Sequence, residues 1–192
     1  MDIFAHGLWT GAAYKALNNK RAFAEKNKLS IKWAVFWGVF PDLFAFTVPF
    51  AIIFYNIFFG SLNFSDFPKP DNTEPPGATG LLVMSIAQRL YNVSHSLVIF
   101  AVVFLIVYFI FRRMPVEMLG WAFHIFIDIP THTYEFFPTP VFWPIFGWKF
   151  SGISWGEPWF MALNYGGLAI VYFWLNKGVF HRWRRNEDGA VL

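Results

Sequence analysis

The sequence contains no cysteine and few charged residues. Among its 192 residues there is no Cys, and only 14% are charged. Disulfides and thiolate metal sites are therefore excluded. By contrast, 56% of the residues are hydrophobic and 22% are aromatic, which is more apolar surface than a soluble domain of this length can bury. We therefore predict an integral membrane protein that forms a single domain over residues 1–192.

Several sequence signals are also absent. The N-terminal segment has no basic residues before its apolar part and carries Asp2 instead, so we do not expect a cleavable signal peptide. We find no internal repeat, no heptad array and no Gly-rich phosphate loop, and we expect no nucleic-acid partner.

Five hydrophobic segments predict an all-α, polytopic bundle of about five membrane helices. They cover about residues 3–17, 33–59, 81–111, 115–129 and 159–175. As one helix, the third segment would be ~45 Å long, which exceeds the ~30 Å hydrocarbon core. Its first part should therefore lie at the interface or inside the bundle. The 60–79 loop should be irregular, and residues 134–158, which are rich in proline, are expected to form a loop or re-entrant segment.

The distribution of positive charge predicts the orientation of these helices. Most of the 15 Lys and Arg residues lie between the first two hydrophobic segments, directly after the third, or in the tail. Basic loops remain in the cytoplasm. We therefore expect the N-terminus and the 60–79 and 131–157 loops outside, and residues 177–192 as a basic cytoplasmic tail.

Ionisable residues within the apolar segments are the main functional signal, because a charged group in hydrocarbon is costly. His95, for example, begins a long apolar run and has Ser94 and Ser96 on either side. Counted at ~1.5 Å per residue from the basic residues, the candidates all lie between the membrane midplane and its outer boundary. We therefore expect these candidate side chains to meet at one site in the bundle. They are His6, Asp42, His95, His124, Asp128 and His132.

The most specific spacing occurs in the fourth segment. His124 and Asp128 are four residues apart, which places both side chains on one face of a helix. His132 would extend that face unless Pro130 ends the helix first. Imidazole and carboxylate at this spacing can chelate a divalent metal, and a buried hydrogen-bonded pair without metal is the alternative. Asp42 follows a proline. Its carboxyl group should be protonated or paired with a group on another helix. The alternative is that it forms a hydrogen bond with the backbone at the proline kink.

The order of these residues resembles the YdjM-like family, small bacterial inner-membrane proteins described as metal-dependent hydrolases. The likeness is carried by "AHGLWTGAA", "FPDL", "SHSL" and "GWAFHIFIDIPTHT", followed by "PVFWPI". More remotely, the order is similar to that of zinc-dependent phospholipase C and P1-type nucleases. The resemblance implies a bacterial inner-membrane location. It also implies that the metal ligands are His6, Asp42, His95, His124 and Asp128, with His132 as a further candidate.

The stretch "RLYNVSHS" departs from the family pattern. The family commonly has a His-Arg pair before Thr-His-Ser, whereas Leu90 and Tyr91 occupy those places here and Ser94 replaces the threonine. Arg89 is then the nearest guanidinium. It is a candidate for phosphate binding, because the planar guanidinium group can donate two hydrogen bonds to a phosphate. The alternative is that its side chain extends to the outer membrane interface.

Together these features predict metal-assisted hydrolysis of an ester or phosphoester, with a lipid headgroup as one candidate substrate. Nitrogen and oxygen ligands without thiolate suit Zn²⁺, Mn²⁺ or Fe²⁺, as one ion or two. Such an ion makes hydroxide available near neutral pH, and Asp42 or Asp128 could act as general base. Two alternatives are a transporter of divalent cations or protons, and a non-catalytic membrane protein with a structural metal.

Overall fold

The computed structural model describes residues 1–20, 28–60 and 78–188, with side chains described except at 78–81 and 178–188. The described chain forms α-helices and loops without a β-strand, which confirms the all-α prediction. The helices are α1 (Ile3–Asn19), α2 (Ile31–Phe59), α3 (Ala78–Ser94), α4 (Leu97–Phe111), α5 (Leu119–Thr131) and α6 (Pro158–Asp188). A 3-10 turn at Val116–Met118 precedes α5. Most of the predicted 60–79 loop and nearly all side chains of the 177–192 tail lie outside the described residues.

The third hydrophobic segment is two helices rather than one. The axes of α3 and α4 are bent by 56° relative to each other. At the break, Ser96 has extended backbone, and its hydroxyl caps α4 by accepting hydrogen bonds from the N–H groups of Val98 and Ile99. A serine in this role favours the start of a new helix over continuation of the old one. The bundle therefore has six described helices instead of about five, and His95 lies at the break.

Glycine allows close packing of α1, α2 and α5 at the centre of the bundle. A Cβ added to Gly38 of α2 would lie 2.3 Å from Thr10 Oγ1 of α1. One added to Gly120 of α5 would lie 2.5 Å from the carbonyl oxygen of Ala34 in α2. Small residues at helix contacts let backbones approach closely, which is typical of membrane bundles. Side chains of these three helices can therefore reach one another near the bundle axis.

The outer helices expose large apolar side chains. Phe109 and Ile110 of α4 are 58% and 67% exposed, and Leu163 and Ile170 of α6 are 68% and 60% exposed. Soluble monomers rarely present continuous apolar surface of this extent. In the described part of the chain, α2 is long and apolar enough to cross a bilayer, and α3 and α4 meet the same criterion together. The fold is a helical membrane bundle.

Residues 132–157 form a non-helical segment, as predicted, which packs on the end of α5. The backbone N–H of Gly152 donates to the carbonyl of His132 at 2.7 Å, and that of Ile153 donates to the carbonyl of Pro130 at 2.9 Å. These carbonyls would otherwise be among the unpaired groups at a helix C-terminus. A Cβ on Gly152 would lie 2.1 Å from the Pro130 oxygen, so the approach requires glycine. The segment is thus fixed to the end of α5, next to His132.

Candidate metal centre

Three parts of the bundle bring two histidines and two aspartates to one buried point. We call Asp42, His95, His124 and Asp128 the His–Asp cluster. Each residue offers one ligand atom, and the four atoms all lie within 4.8 Å of one another. Asp42 comes from the middle of α2, His95 from the break between α3 and α4, and the other two from one face of α5. His95, His124 and Asp128 are fully buried, and Asp42 is 9% exposed.

The distances within the cluster are close to those between ligand atoms around a single ion. His95 Nε2 lies 3.5 Å from Asp42 Oδ1 and 3.3 Å from Asp128 Oδ2. His124 Nε2 lies 3.7 Å and 3.1 Å from the same two oxygens, and 3.0 Å from His95 Nε2. Ligand atoms bound tetrahedrally at ~2.0–2.2 Å would be separated by ~3.3–3.6 Å. Three of these five distances lie slightly outside that range, so small side-chain movements would place the four atoms around one divalent cation.

Charge compensation is incomplete in the cluster itself. Among the described residues, neither Asp42 nor Asp128 forms an ion pair with Lys or Arg; their polar neighbours are histidine rings and, for Asp128, the α-ammonium of Met1. Asp128 Oδ2 is buried and has no hydrogen-bond partner within the described ranges. A buried carboxylate in this state is costly unless a cation balances it. A metal ion at the centre of the cluster would supply that balance.

Hydrogen bonds orient both cluster histidines through the nitrogen that faces away from the site. His124 Nδ1 donates to the Gly38 carbonyl at 2.7 Å, which leaves Nε2 of the neutral ring as an acceptor facing the cluster. His95 Nδ1 is hydrogen-bonded to Ser94 Oγ at 2.9 Å. Metal-binding histidines commonly have such a second partner, which fixes the tautomer and the orientation of the ring. The arrangement is that of two prepared nitrogen ligands.

Aromatic stacking holds the same two rings from the side. The His6 ring stacks on His124 with centroids 3.6 Å apart and planes inclined by 20°. Tyr91 stacks on His95 with the same separation and an inclination of 18°. Tyr91 in turn lies within 3.4 Å of the Thr139 hydroxyl. The imidazole planes are therefore held by packing as well as by hydrogen bonds.

His6 and His132 lie beside the cluster, on the other oxygen of Asp128. His6 Nε2 lies 2.9 Å from Asp128 Oδ1, and His132 Nδ1 lies 3.4 Å from it. The contact of His6 lacks hydrogen-bond geometry, and neither of its ring nitrogens has a hydrogen-bond partner in the described part of the chain. The α-ammonium of Met1 donates to the same oxygen at 2.5 Å. The two oxygens of Asp128 thus face two separate sets of nitrogen atoms.

Arg89 lies outside this arrangement. Its side chain is exposed on α3, whereas the cluster is buried. The six His and Asp candidates of the sequence analysis therefore lie in one region, and the proposed phosphate-binding arginine does not join them.

Sequence analysis did not identify two of the groups that orient the ligands. The Gly38 carbonyl partners His124, and Ser94, noted only as a neighbour of His95, holds that ring. One signal was available: Ala34 and Gly38 form a small-xxx-small pattern, which is typical of close helix contacts in membranes. That pattern indicates where another helix packs, although it does not say which side chain meets the carbonyl.

Comparison with known proteins gives one match. A family model described as YdjM inner membrane protein matches residues 1–191. No curated protein and no solved structure matches the chain. The family resemblance carried by the sequence motifs is confirmed, whereas the more remote similarity to phospholipase C and P1-type nucleases gains no support from these comparisons.

Proposed function

The chain belongs to the YdjM inner membrane protein family, and we propose that it is a membrane-embedded hydrolase that uses a divalent metal ion to cleave an ester or phosphoester. One observation carries the proposal. Four ligand atoms from three separate parts of the chain lie within 4.8 Å of one another in a buried site. Ionisable groups placed so deeply in a membrane protein are costly, and they are typically retained for function.

The donor set suits zinc best. Imidazole nitrogen and carboxylate oxygen without thiolate are ligands for Zn²⁺, and Mn²⁺ or Fe²⁺ are chemically similar candidates. The cluster would hold one ion. His6 and His132, which lie beside Asp128 Oδ1, are the nitrogen ligands that would be available to a second ion.

A divalent ion held by these residues would supply activated water near neutral pH and would polarise the ester or phosphoester. The protein's own residues then have distinct roles. Asp42 lies at the edge of the cluster and lines an adjacent cavity. With the ion held by His95, His124 and Asp128, a position stays open for water, and Asp42 is the carboxylate placed to accept a proton from that water. Fully buried Asp128 orients the histidines. Water adds across the C–O or P–O bond, which yields an acid and an alcohol.

A transport role would require polar access from both sides of the cluster. Towards the start of α5, the neighbouring buried side chains form what we call the apolar cluster, which consists of Phe100, Met118, Trp121 and Ile125. Partly buried Trp37 and Phe40 of α2 pack against it. An ion leaving in that direction would have no ligands among these residues. This arrangement favours hydrolysis over transit.

The direct test uses protein purified in detergent. Elemental analysis should find zinc, manganese or iron at about one or two ions per chain, and hydrolysis of p-nitrophenyl esters or bis(p-nitrophenyl) phosphate should stop on chelation and return with added metal. His124→Ala should lose both properties. Ile125→Val, at the adjacent buried position, is the matched control and should keep both. Protein without bound metal, or turnover unaffected by chelation, would contradict the proposal.

A further inference from the structure

A second cavity, of about 380 Å³, lies between the start of α2 and the end of α4. Trp33 and Trp37 line it from α2, and Val107 and Phe111 line it from α4. Its volume lies within the range of small-molecule sites, roughly 300–1,000 Å³. No residue of the His–Asp cluster belongs to its lining. The cavity is therefore separate from the candidate metal centre.

The walls of this cavity are mainly apolar and open to the surroundings of the bundle. Trp33 is 61% exposed and Phe111 is 67% exposed. Deeper in the cavity, Trp37 packs against the apolar cluster, to which the lining residue Met118 belongs. An exposed apolar groove of this kind in a membrane protein is a contact site for lipid chains, and tryptophan near a helix end is typical of the headgroup layer.

One positive and one negative side chain line the cavity at the ends of these helices. Arg113, which follows α4, is exposed, and Glu117 lies in the 3-10 turn before α5. Neither forms an ion pair among the described residues. Glu117 Oε1 accepts a hydrogen bond from the Ser30 N–H at 3.1 Å, which holds the carboxylate beside the start of α2. The two charges therefore lie at one cavity without pairing with each other.

We propose that this cavity binds one molecule of phosphatidylethanolamine, with its headgroup at Arg113 and Glu117 and a hydrocarbon chain along the apolar walls. The planar guanidinium suits the lipid phosphate, and the carboxylate accepts charge-assisted hydrogen bonds from a primary ammonium. Phosphatidylethanolamine carries both groups in one headgroup. Phosphatidylglycerol has no cation to offer Glu117, and the quaternary ammonium of phosphatidylcholine has no N–H to donate.

The direction of this lipid agrees with that of the bilayer. The cavity's headgroup end lies where α2 begins and α4 ends. From there the apolar walls extend towards the middle of both helices, over four residues or ~6 Å on each. The headgroup thus lies at the membrane boundary, and the chain points to the bilayer centre. Because Arg112 and Arg113 belong to the basic residues that predict the cytoplasmic side, the lipid belongs to the cytoplasmic leaflet.

Native mass spectrometry of the protein purified in detergent tests the headgroup. The protein is titrated with phosphatidylethanolamine, phosphatidylcholine or phosphatidylglycerol, all with identical acyl chains. Wild type should bind its first molecule of phosphatidylethanolamine about tenfold more tightly than either of the other lipids, a difference of ~1.4 kcal/mol. Stepwise N-methylation of phosphatidylethanolamine should lower the affinity at each step, because each methyl group removes one N–H donor.

Arg112 and Arg113 provide a matched pair of variants. Both are exposed, and of the two only Arg113 lines the cavity. Arg113→Gln should lower the affinity for phosphatidylethanolamine about tenfold, whereas Arg112→Gln should leave it unchanged. Glu117→Gln keeps an acceptor oxygen for the Ser30 N–H and should remove the preference for phosphatidylethanolamine over phosphatidylcholine. If Glu117→Gln fails to fold, the methylation series in wild type measures the same contact.

Equal binding of the three lipids, or an equal loss in the two arginine variants, would overturn the inference, because that is the behaviour of lipid around any membrane protein. Tighter binding of phosphatidylglycerol would overturn it as well, since positive charge alone would then explain the site. The inference does not depend on the proposed function. A metal chelator should therefore leave phosphatidylethanolamine bound, and its release by the chelator would place the lipid at the His–Asp cluster instead.

Discussion

Two adjacent residues of α5 belong to clusters of opposite character. His124 lies in the His–Asp cluster and Ile125 in the apolar cluster, and both are 0% exposed. Buried isoleucine is stabilised by packing alone, through many weak dispersion contacts. A buried histidine beside two carboxylates is stable only when hydrogen bonds and charge balance replace its lost solvation. Packing therefore explains the burial of Ile125, whereas the burial of His124 needs the charge balance that the proposed metal ion would supply.

The largest effect should come from replacing His124 itself. His124→Ala removes one nitrogen ligand and leaves both carboxylates buried with less compensation. We expect bound metal, measured by elemental analysis, to fall from about one or two ions per chain to background. Metal retained at the wild-type level in this variant would show that His124 is not a ligand, and the contrast between the two clusters would lose its basis.

Removal of the metal should be the next largest effect. A ligand that binds only the folded state at 100 times its dissociation constant stabilises it by ~2.7 kcal/mol. A chelator should therefore lower the thermal transition of the wild-type protein, and zinc should restore it. His124→Ala is the control and should not respond to either. An equal response in both proteins would mean that the chelator acts elsewhere.

An intermediate effect is expected at Ser94, which touches the cluster only through His95. Ser94→Ala removes the hydrogen bond at 2.9 Å that orients the His95 ring. Loss of such a partner typically costs roughly 10- to 100-fold in metal affinity. Competition with a zinc chelator of known affinity measures the change. Ser96 serves as the reference, because its hydroxyl caps α4 instead, so Ser96→Ala should weaken folding more than metal binding.

The smallest effect should come from the apolar cluster. Ile125→Val removes one methylene group from a fully buried side chain, and this change typically costs ~0.5–1.5 kcal/mol of stability. Metal content and chelator-sensitive hydrolysis should stay at wild-type levels. If this substitution reduced metal binding as much as Ser94→Ala does, the two clusters would have to be treated as one cooperative unit.

Much of the architecture could be predicted because it depends on local pattern. Apolar runs predict helices, and the proline-rich stretch after Pro130 predicts the non-helical segment. The break at His95 was not predicted, because the run from Leu97 to Phe111 is equally apolar whether or not α3 continues into it. The serine cap at Ser96 marks the start of the second helix, and its effect of ~1 kcal/mol is small beside the hydropathy signal.

The sequence by itself determined that the protein is helical and membrane-embedded, and that costly His and Asp side chains occur at similar depths in several segments. Hydropathy, charge and helical periodicity are properties of neighbours along the chain, so they can be assessed without coordinates. Only the tertiary structure decided which nitrogen of His124 faces the cluster and which oxygen of Asp128 faces which histidines. Those choices depend on partners such as the Gly38 carbonyl, which is 86 residues away from His124 in the chain and reaches it only because glycine lets the helices touch.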